Sequence, residues 1–408
     1  MTAPPPPAPC LPAPCLPALF RQGIEAHLRR VREDWDGRHP LHGLRPRPGA
    51  VMVNHNDYLA LARHPRIVKA MTEALGADGN DALMSGAFLY GEHPQLGLER
   101  ALAAHMGAPA GILCQSGWAA NTGLLQALAR PGMPVYIDVL AHMSLWEGAR
   151  IAGATVHRFR HNDIAHLRRR ISDRGPGIIL VDSLYSTDGS VCPLAEAAEA
   201  AGETGCVLVV DESHSLGTHG ARGEGMVFEL GLTGRVHFRT ASLSKAFAGR
   251  AGFIASCDQA FTAHFKMGSH PAVFSSTLLP HDIAGLAETL AVVREDTWRR
   301  PRLQEVATRI REELTAAGLD LNGSRSHILA LVAGDERQTM ALRDNLEQHG
   351  VFGSVFCPPA TPRTRSLVRL SLHTALTDAQ VDHLINTCLR CCRPAPPHRP
   401  SDNPQLRG

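Results

Sequence analysis

A lysine set among small and hydroxylated residues, Thr240-Ala-Ser-Leu-Ser-Lys245-Ala-Phe-Ala-Gly-Arg250, is where this chain's chemistry concentrates. It follows a short strand-like run, Val236–Thr240, and precedes a second, Gly252–Ser256. An amine at the mouth of a strand, partly buried and near another cation, sheds its proton more readily and can form a Schiff base. Upstream, Val207-Leu-Val-Val-Asp211-Glu-Ser-His214 is an apolar β-branched run that ends in a carboxylate. Such a run predicts a buried parallel strand whose Asp emerges at the carboxyl edge, where open α/β sheets bind ligands. Taken singly, Lys245 fits a solvated loop charge, Asp211 a turn cap and His214 an ordinary loop histidine. On successive strand ends they fit pyridoxal 5′-phosphate (PLP). Asp211 would keep its ring nitrogen protonated, and His214 would reach its ring hydroxyl.

Other elements must position these groups. The pattern predicts a strand over Ala110–Cys114 and then a helix from Ser116, with Ser116, Gly117 and Trp118 in the turn. A small-residue helix N-terminus offers free N–H groups and the positive end of the helix dipole, which suits a phosphate. Pro134–Asp138 predicts a strand leading to His142 and Trp146, and Gly177–Asp182 one leading to Ser186 in a Thr-Asp-Gly turn. Helices between these strands make repeated βαβ units and hence a mostly parallel sheet. A long helical stretch from about Pro280 leads to a smaller region with strands at His327–Val332 and Ser366–Leu372. The latter carries Arg369, whose planar guanidinium can clamp a carboxylate as lysine cannot.

Asp211-x-x-His214 followed by Ser242-Leu-Ser-Lys245 resembles the α-oxoamine synthases, and the resemblance runs from about Asn54 to about Asp378. It implies the PLP-dependent transferase fold type I, α/β, with a large domain of mostly parallel sheet and a smaller C-terminal α+β domain. It implies an acyltransferase that joins an amino acid to an acyl-CoA with loss of CO₂, working as a homodimer with active sites at the interface. By the same resemblance Lys245 holds the cofactor and moves the α-proton, with Asp211 and His142 as its catalytic neighbours. His142 stacks on the ring, Ser186 lies near it, and Ser242 belongs to the cofactor motif. Asn56, in Asn56-Asp-Tyr58-Leu59, and Arg369 take the substrate carboxylate. Ser276, in Ala272-Val-Phe-Ser-Ser-Thr277, reaches the phosphate of the neighbouring subunit. On the residues alone, local chemistry favours a turn at Asn56-Asp57, and Ser276 fits a polar loop before the helix near Pro280.

Ser116-Gly-Trp-Ala-Ala-Asn121, His142-Met-Ser-Leu-Trp146-Glu-Gly148 and Phe88-Leu-Tyr-Gly-Glu-His93 look closest to the quorum-sensing α-hydroxyketone synthases (CqsA type). That branch implies a medium-chain acyl-CoA such as decanoyl-CoA, with 2-aminobutyrate or S-adenosylmethionine as amino donor. Asn80-Asp-Ala-Leu-Met-Ser85-Gly86 stands where the wider family has a glycine-rich run, which departs from the general acyl contacts. The rivals are another α-oxoamine synthase, such as the 8-amino-7-oxononanoate synthase of biotin synthesis, and an aminotransferase. A PLP-domain transcription regulator would need a basic helix-turn-helix segment, which the Pro-rich N-terminus does not offer.

The 408 residues are 44% hydrophobic and 20% charged with a formal net charge of +2, a soluble globular balance. Nothing in it argues for a nucleic-acid partner or a membrane span. The ten cysteines form no close-paired framework, which suits reduced thiols and the cytoplasm. Cys388-Leu-Arg-Cys391-Cys392 is the one cluster, and a zinc site would need a second pair beside it. The expected division is a Pro-rich arm over 1–17, a helical segment over 18–54, and the PLP-binding domain over 55–280. A small domain over 281–392 and a disordered tail over 393–408 complete it.

Overall fold

The computed structural model describes residues 15–34, 43–77, 85–358 and 360–392. Most of the Pro-rich arm, the Asn80–Met84 part of the substituted loop and the tail from Arg393 lie outside the described residues. The chain forms two compact units, Met1–Arg45 and Pro46–Gly408.

The first unit contributes α1 (Ala18–Asp34). Phe20, Ile24 and Leu28 recur every four residues on one face, and all three are exposed.

The second unit opens with β1 (Val51–Met52), α2 (Pro65–Gly76) and α3 (Pro94–His105). His93 caps α3 by accepting the Gln95 N–H, and a proline at the first helical position starts each helix. The main sheet is then built in chain order. It uses β2 (Ala110–Cys114), α4 (Gly117–Leu128), β3 (Pro134–Asp138), α5 (Met143–Ile151), β4 (Thr155–Phe159) and α6 (Ile164–Arg174). There follow β5 (Ile178–Asp182), α7 (Leu194–Thr204), β6 (Val207–Asp211), α8 (Met226–Glu229), β7 (Phe238–Ser242) and β8 (Gly252–Ser256). The seven strands lie in the order β2-β8-β7-β6-β5-β3-β4, and only β8 runs against its neighbours. Helices cover both faces of such a sheet, so its strands are continuous apolar runs. Ile178-Ile-Leu-Val181 and Leu208-Val-Val210 are fully buried.

Next come α9 (Ala260–Gly268), α10 (His270–Phe274), α11 (Pro280–Glu295) and α12 (Arg299–Ala316). A three-stranded antiparallel sheet, β11-β12-β9, ends the unit, from β9 (Ile328–Gly334), α13 (Glu336–Gln348), β10 (Val351–Phe352), β11 (Ser354–Phe356), β12 (Ser366–Ser371) and α14 (Asp378–Cys391). β10 pairs with β1 in parallel, Val51 facing Val351, so the segment carrying Asn56 is anchored to the C-terminal region.

One sequence expectation shifts slightly. The strand expected at Val236–Thr240 forms at Phe238–Ser242, because pairing to β6 begins at Phe238 opposite Val209. Trp146, four residues after His142, packs against the hydrophobic core.

Candidate active site

The carboxyl ends of β5, β6 and β7 lie side by side, and the register sets Asp182 opposite Asp211 and Asp211 opposite Thr240. Beyond β7 the chain folds back as a short hairpin into β8. Leu243 N–H donates to Ala251 O at 2.9 Å, Gly249 N–H to Leu243 O at 3.0 Å, and Ala248 N–H to Lys245 O at 2.9 Å. Ala248 takes a left-handed φ of 49° within this loop. Lys245 is thus held beside the end of β6, and among the described residues its amine has no hydrogen-bond or ion-pair partner. Burial lowers its pKa to about 8, with Arg369 adding to the effect and Asp211 and Asp182 opposing it.

Asp211 is buried, and both its oxygens are engaged. Oδ1 accepts the Ser213 N–H at 2.8 Å, and Oδ2 accepts from Asn121 Nδ2 at 2.7 Å. Asp182 is equally buried and lies beside Asp211. Burial first, and that neighbouring charge second, push its carboxyl well above the usual range. A second carboxylate so close to the first, and as deeply buried, resists ionisation. His142 caps α5 by accepting the Ser144 N–H, and Trp118 meets it edge-on at 6.2 Å. Burial and Lys245 hold its imidazole below the usual range, against the pull of Asp211. His214 is held well below that range by burial, with Lys245 and Arg369 adding to it.

The start of α4 closes one side of the cleft. Ser116 is its cap, with Oγ accepting the Ala119 N–H at 3.1 Å and its carbonyl accepting the Ala120 N–H. That leaves the Gly117 and Trp118 amides as the open donors of the first turn. The helix start sits directly on the β7 and β8 ends. A Cβ on Gly117 would lie 2.6 Å from Ser242 Cβ, and one on Gly252 2.1 Å from Ser116 O. Ser242 and Ser244 share a hydroxyl contact of 2.8 Å next to this turn.

On the other side, buried Arg369 on β12 donates to Ser186 O at 2.8 Å and to Asn56 Oδ1 at 3.0 Å. Its Nε has no partner, and its guanidinium lies 4.7 Å over the Phe356 ring. Tyr58 donates to Asn56 Oδ1 at 3.1 Å and lies 2.6 Å from His214 Nδ1. The cleft thereby gathers Asn56, Ser116, Gly117, Trp118, His142, Ser186, Asp211, His214, Ser242, Lys245 and Arg369. Ser276 sits apart and exposed, bridged to Ser85, with its carbonyl accepting from Gln115 Nε2 at 2.7 Å. Tyr58, Asn121, Ser144, Asp182 and Ser213 are site residues that sequence reading did not assign. Tyr58, Asn121, Ser144 and Ser213 lie inside motifs that the sequence displays, which was the available signal.

The donor set fits PLP on the structure's own terms. A carboxylate ends β6, an unpaired amine is held beside it, open amides start α4, and an orphaned guanidinium Nε faces the same region.

This is the site of a PLP-dependent enzyme. The chain belongs to the aminotransferase class I and II family, whose profile matches residues 50–387, and within it to the α-oxoamine synthases. It is 44% identical to the CAI-1 autoinducer synthase of Vibrio campbellii over 88% of this chain and 91% of that one. It is 34% identical to the 8-amino-7-oxononanoate synthase of Alkalilimnicola ehrlichii, over 81% and 85%. The serine palmitoyltransferase of S. paucimobilis, solved with bound PLP, superposes with a TM-score of 0.83 at 25% identity, covering 92% of this chain and 98% of that one. The cofactor expectation and the fold class both hold: PLP is the cofactor, on an α/β fold with a mostly parallel central sheet.

Proposed function

We propose that this chain condenses an amino acid, 2-aminobutyrate or S-adenosylmethionine, with a medium-chain acyl-CoA such as decanoyl-CoA. The products would be an amino ketone, free CoA and CO₂, the ketone being the precursor of an α-hydroxyketone signal. The observation that carries the reading is the pairing of a lysine of depressed pKa with an arginine–asparagine clamp across one cleft. The higher identity to the CAI-1 synthase than to the oxononanoate synthases supports this branch over the alanine and pimeloyl thioester alternative.

PLP, when bound, supplies an electron sink for the lone pair left at the substrate α-carbon. The chain's residues do the rest. Arg369 and Asn56 would seat the amino-acid carboxylate, a planar clamp that fixes the α-carbon's direction. Lys245 Nζ, its pKa lowered to about 8 by burial, would take the α-proton and return it after CO₂ leaves. Asp211 would hold a proton at the pyridine nitrogen, His142 would lie on the ring face, and His214 would face the ring hydroxyl. Ser186 would flank the ring, while Ser242 and the Gly117 and Trp118 amides would bind the phosphate.

The working form in this reading is a homodimer. Phe88, Met267 and Phe274 are 65%, 77% and 80% exposed. They lie on elements that touch one another: the turn Gly86–Phe88, α9 and α10, all packed around α4 or each other. Large apolar side chains exposed on touching elements are what a partner subunit covers, and Ser276, exposed two residues after Phe274, follows them in the chain. Cytoplasmic placement is supported by the thiols from Cys114 to Cys392, which carry no disulfide. No described helix is long and apolar enough to cross a membrane.

The test is mass spectrometry of products from PLP-loaded protein given 2-aminobutyrate and decanoyl-CoA, with Lys245→Ala as control. A decarboxylated acyl amino ketone from wild type alone supports the reading. CoA release only with alanine and a pimeloyl thioester would move the chain to the oxononanoate branch.

A further inference from the structure

Three hydrogen bonds, two of them fully buried, join His142 to Asp211 through two intervening residues. Asn121 on α4 and Ser144 on α5 are 2% and 0% exposed. Asn121 Nδ2 lies 2.7 Å from Asp211 Oδ2 and 2.8 Å from Ser144 Oγ, and Ser144 Oγ lies 2.7 Å from His142 Nδ1.

Donor counting orders the protons along this chain. A carboxylate only accepts, so the Asn121 amide must turn its NH₂ toward Asp211. Both amide protons are then used, on Asp211 and on Ser144. Consistently, Asn121 Oδ1 is buried without a partner. The Ser144 backbone N–H points at His142 Nδ1 at 3.3 Å, which makes Nδ1 an acceptor. Ser144 accepts from Asn121 and therefore has its hydroxyl proton to give to Nδ1. His142 is left with its proton on Nε2. A second proton at Nδ1 would confront the Ser144 N–H and turn the Ser144 hydroxyl away.

We propose that Asn121 and Ser144 are positioning residues that lock His142 in its neutral, Nε2-protonated form and tie that form to the Asp211 carboxylate. The inference rests on the reading of His142 as the residue on the cofactor's ring face. An imidazolium there would repel the proton that Asp211 holds at the ring nitrogen, so neutrality of His142 matters to the electron sink. The other titratable groups around His142 are Lys245, His214 and Asp182, whose Oδ1 accepts the His142 N–H at 3.2 Å. Lys245 reinforces neutrality; Asp211 alone would favour the cation, and the hydrogen-bond chain counters it.

The experiment titrates the visible absorbance of holoenzyme from about pH 5.5 to about pH 9 for wild type, Ser144→Ala, Ser144→Thr and the pair Ser144→Ala with His142→Asn. Ser144→Ala is expected to gain a step within this range that wild type and Ser144→Thr lack, lying below the ordinary histidine value because burial still disfavours the imidazolium. The added His142→Asn removes that step. At about pH 7, Ser144→Ala should lose about 2- to 10-fold in kcat with the amino-acid KM little changed. Asn121→Ala frees the Ser144 hydroxyl and should give the same step, so the test does not hang on one variant's folding. Superimposable titrations of wild type, Ser144→Ala and Asn121→Ala, or a step that survives His142→Asn, would overturn the inference. Failure of the underlying site reading is separate: Lys245→Ala would then keep the wild-type visible absorbance.

Discussion

Tyr58 Oη lies 2.6 Å from His214 Nδ1, across 156 residues of chain. The same hydroxyl donates to Asn56 Oδ1, which also accepts from Arg369. Since Tyr58 spends its proton on Asn56, His214 donates from Nδ1, and its Nε2 is left as an acceptor toward the cleft. Burial raises the Tyr58 phenol above its ordinary range, so it stays a donor. One hydroxyl therefore links the cofactor side of the site to the substrate side.

Tyr58→Phe tests that link. It leaves His214 N–H and part of the Asn56 carbonyl without a partner, a loss of about 1–3 kcal/mol. Cofactor dissociation and amino-acid KM should both worsen, by roughly 5- to 100-fold in product. Measured by absorbance titration and steady-state kinetics, a change confined to one of the two would break the link.

Arg369→Lys keeps the charge but loses the planar fork, along with the donations to Ser186 O and Asn56 Oδ1. The amino-acid KM should rise roughly 10- to 100-fold, the equivalent of about 1.5–3 kcal/mol for charged hydrogen bonds. The acyl-CoA KM should stay near wild type. Equal effects on both substrates would place Arg369 elsewhere in the reaction.

The Lys245 amine has a pKa lowered to about 8 by burial. Below that pH it is protonated and cannot add to a carbonyl; above it the lone pair is free. The rate of PLP capture by apoenzyme, followed by stopped-flow absorbance, should rise about ten-fold per pH unit up to about 8 and then level off. A rise continuing to about pH 10.5 would show an ordinary surface lysine.

Phe274 and Met267 are highly exposed on adjoining helices. Wild type should sediment as a dimer, and Phe274→Glu with Met267→Glu as a monomer that loses activity, because like charges cannot be buried in an apolar interface. An active wild-type monomer would remove the dimer from the account.

What could be read from the chain was what chemistry imposes locally. Val207–Asp211 is apolar because both sheet faces are covered, so its strand and terminal carboxylate showed directly. Lys245 showed only beside the carboxylate that ends the Val207–Asp211 run, since a lysine among small residues fits a solvated loop charge when taken alone. Contacts made only by folding did not show. Asn121 reads as one residue of a small helical run until α4 packs it against Asp211 and Ser144. Ser144 reads as a helix-start serine. Tyr58 meets His214 because β1 pairs with β10 and pins the intervening loop. Ser116 could be placed at the helix start, but only the structure shows its hydroxyl committed to capping, with the neighbouring amides left open.

The central claim is carbon–carbon bond formation coupled to loss of the substrate carboxyl. It is tested most directly with carboxyl-¹³C 2-aminobutyrate and decanoyl-CoA, counting labelled CO₂ against free thiol. The account predicts one labelled CO₂ for each thiol released, and neither from Lys245→Ala. Label retained in a keto acid, with no thiol released, would contradict it and identify a transamination instead.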